Sequence, residues 1–211
     1  HANTITNISE AEVVYSKNNK HLFQAGLNNT FCQANTESYE KSVHQNYFSV
    51  FAAYLYTSTD KKTGCSLHLR QEETKNKFVP PVFTFSAYRK LYSFLNIKLG
   101  AGKVYRLPSF NNLYWNPGGN INLKPEEGYY QDVALELQKE VKTKNEKIKW
   151  VFESRFSMFN RNISNWIIWL PDHSGIWTPQ NIMKVWSRGT ETHSSIALVV
   201  NKFIVRGFVN T

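Results

Sequence analysis

The chain of 211 residues lacks any run approaching the roughly 20 apolar residues that a membrane-spanning helix requires. Its longest apolar stretches are short, such as Ile196 to Val200, so no membrane insertion is expected. No GxSxG elbow, P-loop, GxGxxG or HExxH signature is present. The six histidines, at 1, 21, 44, 68, 173 and 193, show no pairing at two, three or four residues. Zinc-ligand spacing is therefore missing, and no metal or cofactor is expected. Asp172-His173-Ser174 is the only compact hydrolytic triplet, but sequential neighbours point apart, so a polar turn explains it better than catalysis. The chain reads as a non-enzyme. The net charge of +9 is spread over dispersed lysines and arginines without a basic block. That excludes a nucleic-acid arm and leaves a mild preference for acidic partners.

Cysteine is scarce as well. Cys32 and Cys65 are the only two. An even, low count without a metal pattern fits one disulfide in an oxidising compartment. Such a bridge would close a loop of about 30 residues, worth roughly 3–4 kcal/mol. The first residue is His1 rather than Met, which together with the polar, Asn-rich composition suggests export. Charged residues are 19% and hydrophobic residues 41%, so a packed domain is expected rather than disorder.

What is present is alternation. In residues 130–156, Val133, Leu135, Leu137 and Val141 share one face, opposite Asp132, Glu136, Gln138 and Glu140. After a turn at 142–147, Ile148, Trp150, Phe152 and Phe156 continue the pattern. Period two excludes a helix and predicts a β-hairpin. A second hairpin is predicted from Asn46 to Glu73, turning at 59–64. Further strands are expected at 11–16, 82–88, 95–99, 165–170, 181–187 and 195–209, with the prolines marking loops. One helix is a candidate at 86–95, where Tyr88, Leu91, Tyr92 and Leu95 share a stripe; a strand extension fits equally. The expected fold is mainly β, an antiparallel sandwich or barrel-like (Ig/lectin-like) domain spanning 1–211 with at most one short helix.

Two segments mix rings with amides in a way that neither a core nor a linker requires. One is "FNNLYWNPGGNINL", with Tyr114, Trp115, Asn116 and Asn120 around Gly118 and Gly119. The other is "WLPDHSGIWTPQN", with Asp172, His173 and Trp177. Sugars present a C–H face and a hydroxyl rim, so a flat ring flanked by amides suits them. Arg188 would add a cation for an acidic sugar. In size and architecture the chain is similar in outline to the lectin domains at the tips of bacterial fimbriae. The resemblance implies a secreted or cell-surface adhesin domain binding host glycans, and suits the N-terminal domain of a longer protein. A secreted protein-binding virulence, immune-evasion or viral module, and a secreted hydrolase or toxin subunit, are the alternatives.

Overall fold

The computed structural model describes residues 2–75, 77–143 and 148–211. Eleven strands form a single antiparallel sheet. They are β1 (Ala2–Lys17), β2 (His21–Thr36), β3 (Val43–Thr57), β4 (Thr63–Thr74), β5 (Lys77–Phe78), β6 (Val82–Tyr92), β7 (Leu95–Arg106), β8 (Glu126–Lys142), β9 (Ile148–Pro171), β10 (Trp177–Val200) and β11 (Phe203–Asn210). Each pairs with its sequence neighbours in a meander, except that β5 is a short spur on β4. The outer edges of β1 and β11 are open.

Both predicted hairpins form, as β3–β4 and β8–β9. The turn expected at 142–147 lies mostly outside the described residues. The segment 195–209 splits into the end of β10 and β11. The helix candidate at 86–95 is instead the β6–β7 hairpin; the single helix among the described residues, α1 (Phe110–Tyr114), lies in the next loop. The sandwich expectation is corrected: among the described residues there is no second sheet for the apolar side chains to pack against.

Those side chains stay exposed. The pairing register puts Val13, Ala25, Ala52, Leu69 and Phe83 in one row on one face. Phe23, Tyr54, Leu67, Phe85, Leu99, Val133, Leu135, Phe156, Ile196 and Val205 share that face. Leu69 is 49% exposed, Phe85 40% and Val205 71%. A continuous apolar face on this scale cannot meet water in a stable monomer. The opposite face carries the ions and amides: Arg70 with Glu72 at 3.1 Å, Lys98 with Glu136 at 2.8 Å, and Gln24 donating to Glu12 at 2.6 Å.

The apolar band does not follow the hydrogen-bonded rows. The row through Val13 reaches β9 at Asn162. The apolar stretch on β9, however, runs from Trp150 to Met158 and centres on Ser154. That drift of about eight residues is ~26 Å along the strand, against ~34 Å across seven strand spacings, so the strands tilt by about 40°. This is the tilt at which sheets close into barrels.

The polar face is the concave one. The Asn116 N–H donates to Ser38 O, between β2 and β3, at 2.9 Å. Two residues on, Gly118 lies against the Trp177 carbonyl at the start of β10. On a flat sheet, β3 and β10 would be ~29 Å apart, so the sheet curls around this loop. Glycines on the inner face make room for crowded neighbours: Phe51 lies over Gly26, Tyr88 over Gly64, Tyr130 over Gly102 and Phe159 over Gly189.

The two rims of the sheet differ. One has short turns at 18–20, 58–62, 93–94 and 201–202. The other carries the longer connections at 37–42, 75–81 and 107–125, and the ends of the 24-residue strands β9 and β10.

Candidate functional site

The long-connection rim is organised by residues 107–125. Ser109 caps α1, its Oγ accepting from the Asn112 N–H at 3.3 Å. Past Trp115 the helix cannot continue through Pro117 and Gly118, whose φ of 117° suits glycine. The segment therefore folds inward over the concave face. Asn112 and Leu113 are buried there, with Asn112 Oδ1 accepting from Trp169 Nε1 at 3.1 Å. Asn120 Nδ2 donates to Pro179 O at 3.0 Å, and Asn181 exchanges hydrogen bonds with the Lys124 backbone at 2.7 and 3.0 Å. Beneath, Glu126 is buried, chelated by Arg106 and accepting from the Ile167 N–H at 2.8 Å.

A cavity of about 250 Å³ opens beside this loop, lined by Tyr39, Glu40, Lys41, Trp115, Asn116 and Ile121 among others. Tyr39 stands edge-on to Tyr114 at 6.5 Å, and its hydroxyl donates to Asn111. Partial burial pushes that hydroxyl above its ordinary pKa. Lys75 Nζ donates to the Tyr114 hydroxyl at 2.8 Å.

The two ring-and-amide segments named from the sequence meet in space, at Gly118 with Trp177 and at Asn120 with Pro179. Within them the roles divide. Trp115 and Trp177 are 41% and 57% exposed, so their faces are available. Tyr114 and Asn116 sit at the cavity wall, while the Asn120 amide is occupied in holding the loop. Asp172 caps its own turn, accepting from the Ser174 N–H, the Ser174 hydroxyl and the Ile176 N–H at 2.8, 2.6 and 3.0 Å. His173 is exposed in that turn. Arg188 is not part of the group. It lies on the outer face, eleven positions along β10 from Trp177, or ~36 Å. The sequence reading missed Tyr39, Glu40 and Lys41, which the topology brings to the cavity from another connection, and Lys75, which reaches Tyr114 from a third.

The hydrogen bonds to Asp172 hold its pKa below the ordinary value. A depressed carboxylate contributes stability above its unfolded pKa and loses it as pH falls through the folded one. The 172–176 turn is therefore expected to be ordered at neutral pH and to loosen in acid, below about 3.9. Amide protection at Ser174 and Ile176, followed against pH, checks this. Asp172→Ala should remove the protection at every pH.

The disulfide expectation is corrected. Cys32 and Cys65 are both free. Cys32 pairs with Gln45 of β3 and Cys65 with Tyr56 of the same strand, eleven residues away. That is ~36 Å, whereas a disulfide requires Cα atoms within about 7 Å.

An apolar outer face, a polar inner face, tilted meandering strands and unequal rims together describe a membrane-barrel wall. The family described as TonB dependent receptor-like, beta-barrel matches residues 7–204. The chain belongs to this receptor family. Among curated relatives, the vitamin B12 transporter BtuB of Photobacterium profundum is 29% identical over 107 residues, 49% of this chain and 16% of that protein. BtuB of Vibrio vulnificus is 32% identical over 91 residues, 43% of this chain and 13% of that protein. Among solved structures, the siderophore receptor PirA from Pseudomonas aeruginosa aligns with a TM-score of 0.76 at 13% identity, over 97% of this chain and 41% of that one. The Serratia marcescens hemophore receptor HasR aligns at 0.72 and 14%, over 99% and 41%. The structural likeness establishes the barrel fold, and this chain spans well under half of each of these proteins.

The family overturns the adhesin reading and its alternatives. TonB-dependent receptors are transporters and not enzymes, and the relatives are named for vitamin B12, siderophores and a hemophore, not glycans. The receptor is an exported protein of the cell envelope, not a freely secreted one. The expectation of no membrane insertion also falls. It rested on a helix-length criterion; no described helix is long and apolar enough to cross a membrane, which says nothing of a β-barrel. A strand crosses with about ten alternating residues.

Proposed function

We propose that this chain forms part of the wall of an outer-membrane receptor that takes up a corrinoid of the vitamin B12 class. The observation that carries this is the division of one tilted sheet into an apolar outer and a charged inner face, with the longer connections all on one rim. In outer-membrane barrels the longer loops face the exterior, so the rim bearing α1 is the entry side. The corrinoid assignment rests on the relatives' names. The open edges of β1 and β11 are read as seams where further barrel strands dock, because lipid offers no partner for unpaired backbone groups.

At the entry rim, Trp115, Trp177, Tyr39 and Tyr114 offer ring faces, with Asn116 and His173 as polar contacts. Loop 107–125 narrows the mouth over the concave surface. Uptake of radiolabelled cyanocobalamin by cells producing the native protein tests the reading. Accumulation is expected, and the double variant Trp115→Ala/Trp177→Ala should weaken binding about three- to tenfold, the scale of one lost ring contact. Native protein that neither binds nor accumulates the corrinoid would overturn the assignment.

A further inference from the structure

The outer face changes character above the apolar band on the long-connection side. Arg188 lies in one row with Asn160 and Gln131, and Trp186 in the next with Asn162, Tyr129 and Lys103. These groups are connected. Trp186 Nε1 donates to Asn160 Oδ1 at 2.6 Å, and Asn160 Nδ2 donates to Gln131 Oε1 at 2.7 Å. Among the described residues no acceptor takes the Gln131 side-chain N–H groups, so they stay available to a ligand. The Arg188 guanidinium lies over the Trp186 ring, 4.3 Å from its centroid. That stacking fixes the plane and leaves the N–H edge open.

Charge and depth both discriminate. Lys103 is neutralised by Glu127 at 3.0 Å. Among the described residues no ion pair engages Arg188, so the patch carries an uncompensated positive charge. Ser194 pairs with Ser154 at the centre of the apolar band. Arg188 and Trp186 are six and eight positions above it, ~15 and ~20 Å toward the rim at a 40° tilt. A bilayer's hydrocarbon ends about 15 Å from its midplane, and its headgroups extend to about 22 Å.

We propose that Arg188, Trp186 and the Gln131 amide form a binding site for the phosphate of an anionic lipid headgroup, in the leaflet on the long-connection side. The site rests on the reading of the outer face as lipid-facing. The ring covers the upper acyl region, the guanidinium takes the phosphate oxygens, and the amide completes the donor set.

Native mass spectrometry of the purified protein, offered phosphatidylglycerol and phosphatidylcholine together, tests it. Preferential retention of phosphatidylglycerol is expected, with Arg188→Gln lowering that preference about fivefold. A preference unchanged in the variant, or absent from the native protein, would overturn the site. Quenching by brominated phosphatidylcholine, compared between the native protein and Trp186→Phe, reports membrane contact independently of charge. A quenched Trp186 without headgroup preference defeats the lipid site alone. An unquenched Trp186 defeats the site together with the orientation on which it rests.

Discussion

Leu69→Arg is expected to destabilise the protein in a bilayer by about 2–4 kcal/mol, the cost of a guanidinium near the midplane of a barrel's lipid face. Leu69 lies mid-strand between Ala52 and Phe83 on the outer face and is 49% exposed. Were that face bathed in water, a half-exposed leucine would accept arginine at a cost of a few tenths of a kcal/mol. The same substitution on the inner face supplies the contrast. Thr84 pairs with His68 and Gly102 on the concave side, and Thr84→Arg should change stability by less than about 1 kcal/mol. Urea unfolding in vesicles, followed by tryptophan fluorescence, separates the two. Equal tolerance at both positions would sink the assignment of faces.

Gly26→Val should cost about 3 kcal/mol or prevent assembly of the β1–β3 region. A Cβ at Gly26 would sit 2.5 Å from the Phe51 ring and 2.6 Å from the Ala11 carbonyl oxygen. The ring can rotate away; the carbonyl belongs to the β1–β2 ladder and cannot move without parting it. Gly26→Val/Phe51→Ala should therefore recover only part of the loss. At Gly189 the nearest atoms are all on the Phe159 ring, starting at 3.0 Å. There, Gly189→Ala/Phe159→Leu should recover nearly all of it. Yields of folded protein from inclusion bodies, read by heat-modifiable gel mobility, measure both. Full rescue at Gly26 would show that backbone approach is not the constraint.

Both expectations depend on which side of the sheet is inside. The alternation of Val133, Leu135 and Leu137 with Asp132, Ala134 and Glu136 is readable from the sequence, and it yields the correct hairpin. It does not say whether the apolar set faces a core or lipid, because a two-residue period is unchanged when inside and outside are exchanged. The sandwich expectation came from assuming water outside. The missing long apolar run reinforced it, although strands cross lipid without one. The ring-rich loop at 110–123 was legible as exceptional because a core does not need five asparagines and two glycines. Its companions Tyr39 and Lys75 were not, since they lie 72 positions from Asn111 and 39 from Tyr114 and meet them only through the curl of the sheet.

Alternating polarity along the chain implied antiparallel strands with two chemically opposed faces and a decorated connection near its middle, but in short pieces, where the structure has strands of up to 24 residues. Side-chain polarity repeating every second residue is the mark of extended chain. The folded molecule alone shows that the charged face is the hollow one, that Cys32 and Cys65 stand at opposite ends of their strands, and that Arg188 leaves the loop cluster for the outer face. Those outcomes follow from strand register and tilt, set by ladders between segments far apart in the chain, which no local pattern encodes.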